Sequence, residues 1–116
     1  MRQLQRGDVY RVSFGQGKGH ELNDPHYAIV VQSDAYPLST VIVVPLSSSA
    51  RPTPWRVPVE VAGKTTYALV EQTRVVDAES RLREWVCSLA GTDTLAQIDE
   101  ELAMILGIHQ TYRSGW

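Results

Sequence analysis

Apolar and polar positions alternate over Gly7-Asp8-Val9-Tyr10-Arg11-Val12-Ser13-Phe14, with Val9 facing away from Tyr10, Val12 and Phe14. This period of two predicts a first strand. Gly15-Gln16-Gly17-Lys18-Gly19 ends it, since three glycines in five positions make a loop. Tyr27 to Gln32 is a continuous β-branched run, the pattern of a central strand buried on both faces. Ser33 to Ser39 reads as a turn, and Thr40 to Leu46 as a second buried strand. Three serines and Arg51-Pro52-Thr53-Pro54 form a stiff loop before Trp55 to Val61. That segment alternates but contains Pro58, which cannot donate to a ladder, so it is assigned to a sheet edge. Gly63-Lys64 is read as a turn. Tyr67 to Glu71 and Thr73 to Val76 read as two short strands or one strand bent at Gln72, followed by one helical turn over Asp77 to Leu82 and a last strand over Glu84 to Leu89.

The period then changes. Leu95, Ile98, Leu102, Ile105 and Leu106 follow helical spacing, with Thr92 or Asp93 as N-cap and Gly107 as the stop. The stripe is read as core packed on the sheet. The fold class expected is mainly β, an SH3-like barrel of six or seven curled antiparallel strands closed by one C-terminal α-helix. One domain is expected over residues 1–110, with 111–116 as a tail.

Composition narrows the function. At 43% hydrophobic and 21% charged, the chain can bury a core and does not resemble a disordered segment. Cys87 is the one cysteine, so no internal disulfide forms, which fits a reducing cytoplasm. No basic-then-apolar leader opens the chain and no apolar run approaches the ~18 residues of a membrane span, so a cytoplasmic protein with no membrane partner is expected. Residues 1–76 carry eight Lys/Arg and six Asp/Glu, whereas 77–110 carry two against seven. An anionic ligand therefore prefers the first two thirds.

Candidate chemistry concentrates in Gly19-His20-Glu21-Leu22-Asn23-Asp24-Pro25-His26, a loop feeding straight into a buried strand. His20, Glu21 and His26 can move protons near neutral pH. Ser47 leaves a strand end with an exposed hydroxyl suited to a phosphate. Lys18, Arg51, Arg56 and Arg74 can hold phosphates, and Tyr36 and Trp55 offer flat faces to unpaired bases. His20, Glu21, Asp24 and His26 could supply zinc ligands from one loop, but the three histidines lack helical pair spacing and Cys87 stands alone, so neither metal nor cofactor is expected. Phosphate-cradling glycine loops and nucleophile elbows are absent. The set suits cleavage of single-stranded RNA, whose own 2′-hydroxyl is the nucleophile.

Arg6-Gly7-Asp8-Val9-Tyr10, Gly19-His20-Glu21, Ile29-Val30-Val31-Gln32-Ser33-Asp34, Val43-Val44-Pro45-Leu46-Ser47-Ser48, Thr53-Pro54-Trp55-Arg56-Val57, Glu71-Gln72-Thr73-Arg74-Val75-Val76-Asp77 and the helix Leu95 to Leu106 occur in that order. Over residues 5–108 the chain thereby resembles the MazF/Kid/PemK toxin endoribonucleases. The resemblance implies a CcdB/Kid-like fold and a homodimeric, metal-independent enzyme that cuts single-stranded mRNA at a short sequence. It also implies a type II toxin–antitoxin system, with silencing by a cognate antitoxin. Glu21 matches the family's loop carboxylate, His20 a histidine functional in some members, and Ser47 a hydroxyl residue after the Val-Pro strand. Ser48 and Gln72 fall in the implied RNA-binding segments. At one position the chain departs: His26-Tyr27 stands where the family usually has Arg-Pro. Arginine is a permanent forked cation suited to a phosphorane, while histidine is smaller and charged part of the time. Two readings follow. Either His26 acts as acid or base in a working enzyme with Lys18 or Arg51 supplying charge, or the copy is weakened and acts by binding, as an antitoxin decoy or co-repressor or like the gyrase-poisoning CcdB.

Overall fold

The computed structural model describes residues 3–15 and 26–108. Residues 1–2, 16–25 and 109–116, which include the expected tail, lie outside them.

Among the described residues seven strands form one antiparallel sheet, named here in chain order: β1 (Asp8–Val12), β2 (His26–Val30), β3 (Thr40–Ser47), β4 (Val57–Val61), β5 (Lys64–Ala68), β6 (Arg74–Asp77) and β7 (Leu82–Ser88). The spatial order is β4-β5-β3-β2-β1-β7, with β6 also on β3. β3 is long enough to hold two partners along one edge. Val41 to Val43 pair with Val76 to Arg74, and Leu46-Ser47 with Ala68-Tyr67. A 3-10 turn over Val70–Gln72 makes the step between those partners, so the expected bend at Gln72 is a short helix separating two strands. The sheet curls into a half-barrel, with a one-turn helix α1 (Ala78–Arg81) before β7 and a longer helix α2 (Asp93–Ile105) after it.

The continuous β-branched runs are explained by two cores. Val9, Ile29, Val44 and Leu46 pack on one face with β4, β5 and the start of α2. Tyr10, Val12, Phe14, Ala28, Val30, Val41 and Val43 pack on the other with Val76, Ala78 and Leu82. Central strands buried on both sides leave no polar face, hence no polar alternation. Pro58 sits on terminal strand β4, where a missing N–H costs no ladder bond. The β4–β5 turn is Ala62-Gly63, both at positive φ, rather than Gly63-Lys64. Val61 pairs with Lys64 across a two-residue loop, the geometry favoured by strand twist. Lys64 is thus the first residue of β5.

α2 begins and ends at its local signals. Thr92 Oγ1 accepts the Leu95 N–H at 3.2 Å. At the other end Gly107 takes φ +76°, and Gly107 and Ile108 donate backward to Met104 and Ala103. The apolar stripe is only partly core. Leu95 and Ile98 are buried, Leu102 packs against the same cluster, but Ile105 and Leu106 are exposed. Arg6 ties the two layers together, donating to the Val31 carbonyl at 2.8 Å and pairing with Asp99 of α2.

Candidate functional site

Antiparallel register sets one row of residues across four strands. Arg11 of β1 faces Tyr27 of β2, Tyr27 faces Leu46 of β3, and Leu46 faces Ala68 of β5. Directly opposed residues share a face, so Arg11, Tyr27 and Leu46 project side by side. Beside this row a cleft of about 210 Å³ opens, lined by Arg11, His26, Tyr27, Leu46, Ser48, Lys64 and Thr66.

The cleft is cationic. Arg11 stacks its guanidinium over the Tyr27 ring at 5.6 Å from the centroid. Lys64 approaches from β5. No carboxylate is among the described lining residues. Among the described residues Arg6 and Arg56 are ion-paired with Asp99 and Glu71, whereas Arg11 and Lys64 are not ion-paired. His26 opens β2, opposite Val12, and its Nδ1 is buried without a hydrogen-bond partner among the described residues. A buried imidazole nitrogen left unpaired costs free energy unless a ligand or a further group meets it. The Thr66 hydroxyl is already committed, donating to the Val59 carbonyl at 2.8 Å.

The expected site residues separate into distinct places. Lys18, His20 and Glu21 lie outside the described residues. Ser47 does not present the exposed hydroxyl expected of it: it is 2% exposed. Its Oγ accepts the Ser49 N–H at 3.3 Å, closing the turn that ends β3. One residue further, where the strand has ended, Ser48 is exposed and reaches the cleft. Arg56 is not free to hold phosphate either. It donates to Glu71 Oε2 at 2.6 and 3.2 Å and to the Arg51 carbonyl at 3.0 Å, fastening the β3–β4 loop to the 3-10 turn. Arg51 and Trp55 are exposed on that loop, and Gln72 ends the turn.

Two candidates sit elsewhere. Arg74 is opposite Val43, on the face away from Leu46, with its guanidinium 5.0 Å from the Phe14 ring centroid. Tyr36 lies in the β2–β3 turn, at the far end of β2 from His26, and lines a separate pocket with Leu4, Leu38 and Val41. Four residue steps of strand put roughly 13 Å between the two ends of β2. Arg11 and Lys64 were missed because each reads as ordinary surface: one interrupts an apolar strand, the other follows a glycine. The one signal in the chain is Arg11 itself, a cation set between Tyr10 and Val12 in a strand otherwise destined for burial.

No group of three or more His, Cys, Asp or Glu side chains converges among the described residues. Cys87 is away from the cleft, and burial, then the Asp8 charge, push its thiol above its ordinary value, which keeps it a poor nucleophile. No helix among the described residues is long and apolar enough to cross a membrane.

Comparisons with known proteins agree with this architecture. Residues 5–106 match the family described as PemK-like, MazF-like toxin of type II toxin–antitoxin systems. A candidate toxin of Mycobacterium tuberculosis is 39% identical over 104 residues, covering 89% of this chain and 97% of that protein. The crystal structure of MazF from Deinococcus radiodurans superposes with a TM-score of 0.80 at 25% identity, over 92% of this chain and 99% of that one. An endoribonuclease from a mycobacterial species, in complex with its cognate antitoxin, matches in fold with a TM-score of 0.73 at 22% identity, over 90% of this chain and 96% of that one.

Proposed function

Since the chain belongs to the PemK/MazF-like toxins of type II toxin–antitoxin systems, we propose that it is an endoribonuclease that cleaves single-stranded RNA without a metal cofactor. The observation that carries this reading is the cationic cleft lined by Arg11, His26, Lys64 and Ser48, with no carboxylate among its described lining residues. RNA supplies its own nucleophile. The 2′-hydroxyl loses its proton, its oxygen bonds the adjacent phosphorus, and the bond from phosphorus to the 5′-oxygen breaks. A 2′,3′-cyclic phosphate and a 5′-hydroxyl result. The protein needs a base, an acid and stabilisation of the anionic phosphorane.

In this reading Glu21 or His20 takes the 2′ proton. His26 protonates the leaving 5′-oxygen. With the Ser47 hydroxyl turned inward, Ser48 is the serine that contacts the phosphate. Trp55 and Arg51 on the neighbouring loop meet flanking nucleotides. The working unit is a homodimer in the cytoplasm. The exposed apolar end of α2, at Met104, Ile105, Leu106 and Ile108, supports a second copy covering it. A cognate antitoxin silences the toxin by covering the RNA groove.

The test is incubation of the purified protein with mixed-sequence single-stranded RNA in EDTA, with end-group analysis of the products. Cleavage to cyclic phosphate ends, lost by at least 100-fold in His26→Ala, is expected. No cleavage by the natural protein would sink the reading. A second reading, a silent copy that acts by binding, is favoured by His26 at the position of the family's usual arginine. Cleavage that appears only in His26→Arg would establish it.

A further inference from the structure

The cleft holds two cations that no family motif accounts for. Arg11 enters from β1 and Lys64 from β5, on either side of His26 on β2 and Ser48 beyond β3. Three strand spacings put their strands roughly 14 Å apart, and both side chains are long enough to narrow that gap. Neither is neutralised among the described residues, in contrast to Arg6 and Arg56. Arg11 is further held in place by the Tyr27 ring beneath it. Tyr27 stands where the family usually has proline, so the brace and the histidine arrive together in adjacent positions.

We propose that Arg11, braced on Tyr27, and Lys64 form a two-point clamp for RNA backbone phosphates on either side of His26, supplying the permanent positive charge that histidine lacks. This rests on the endoribonuclease reading above. The division of labour follows from the chemistry. Guanidinium and ammonium stay charged at every physiological pH and can hold the chain through both protonation states of His26. The imidazole is then free to cycle its proton. Both cations are exposed, so their exchange for neutral side chains leaves the core untouched.

The experiment uses the full chain and a single-stranded RNA with 2′-deoxy sugars at the cleaved positions, which binds but cannot react. Affinity is measured against salt for the natural protein, Arg11→Gln, Lys64→Gln, Arg11→Lys, Lys64→Arg, Tyr27→Leu and the Arg11→Gln/Tyr27→Leu double variant. Each phosphate contact contributes about 0.7 to the slope of log affinity against log salt on a single strand. Each Gln variant is expected to lower the slope by about that amount and to lose about tenfold in affinity at low salt. Arg11→Lys and Lys64→Arg keep the slope, and Tyr27→Leu weakens binding only while Arg11 is present. Cleavage of all-ribose RNA is followed in parallel. If the natural protein cleaves while both Gln variants keep its affinity and slope, the clamp is wrong and the nuclease stands. If the natural protein neither binds nor cleaves RNA, the nuclease reading falls and the clamp with it.

Discussion

Replacing Gly7 by alanine isolates one physical requirement of this fold, the close approach of the β1 entry to the segment after β7. Gly7 has φ +96°, and a Cβ built on it falls 2.8 Å from the Ala90 backbone nitrogen and 3.0 Å from its Cα. These are backbone atoms that cannot swing aside. The glycine is also hydrogen-bonded on both sides, donating to Val30 O at 2.8 Å and accepting from Leu89 N at 2.8 Å. Forcing a side chain into positive φ costs about 1–2 kcal/mol. The steric overlap adds about 1–3 kcal/mol. Gly63→Ala is the matched control, because Gly63 has φ +78° with nothing within 4 Å of a new Cβ. It carries the dihedral cost alone. Urea unfolding of the two variants should therefore show Gly7→Ala less stable than Gly63→Ala by about 1–3 kcal/mol. With a slope near 2 kcal/mol per molar, their midpoints separate by on the order of 1 M. Coincident midpoints at an unchanged slope would refute the argument that contact with Ala90 dictates glycine here.

Ile98, fully buried between α2 and the sheet, should lose about 2–5 kcal/mol on Ile98→Ala in the same assay, and a loss under 1 kcal/mol would mean that the helix does not pack as described. Asp77 caps α1, accepting from Ser80 N at 2.8 Å and Ser80 Oγ at 2.7 Å. Those bonds, the side-chain one first, hold its carboxyl below its ordinary range. Because the folded value is depressed, the stabilisation is present above the unfolded value and is lost as pH falls through the folded one. Thermal midpoints of the natural protein and Asp77→Asn should differ at neutral pH and converge in strong acid; a gap that widens on acidification would reverse the sign of this reasoning.

Several features of the fold are legible in the chain alone because they depend on neighbours in sequence. The unbroken apolar runs at Tyr27 to Gln32 and Thr40 to Leu46 announce strands covered on both faces, and two cores meet them there. Thr92 and Gly107 mark the ends of α2 through caps that reach three to five residues. The family resemblance carried by ordered motifs is likewise a property of the chain. Near the site, local pattern loses its authority. Whether a hydroxyl at a strand end faces in or out turns on a single residue, and here Ser47 goes inward while Ser48 enters the cleft. Arg56, Arg74 and Tyr36 look alike in sequence as binding candidates. Their partners are Glu71, Phe14 and a remote turn, and these set them apart. The Arg11–Tyr27–Leu46 row exists only through register, where a slip of one residue would send every side chain to the opposite face. The chain by itself determined the strands, the helix and the kind of protein. The tertiary structure alone decided which cations share a cleft with His26, because that depends on pairing between residues distant in sequence.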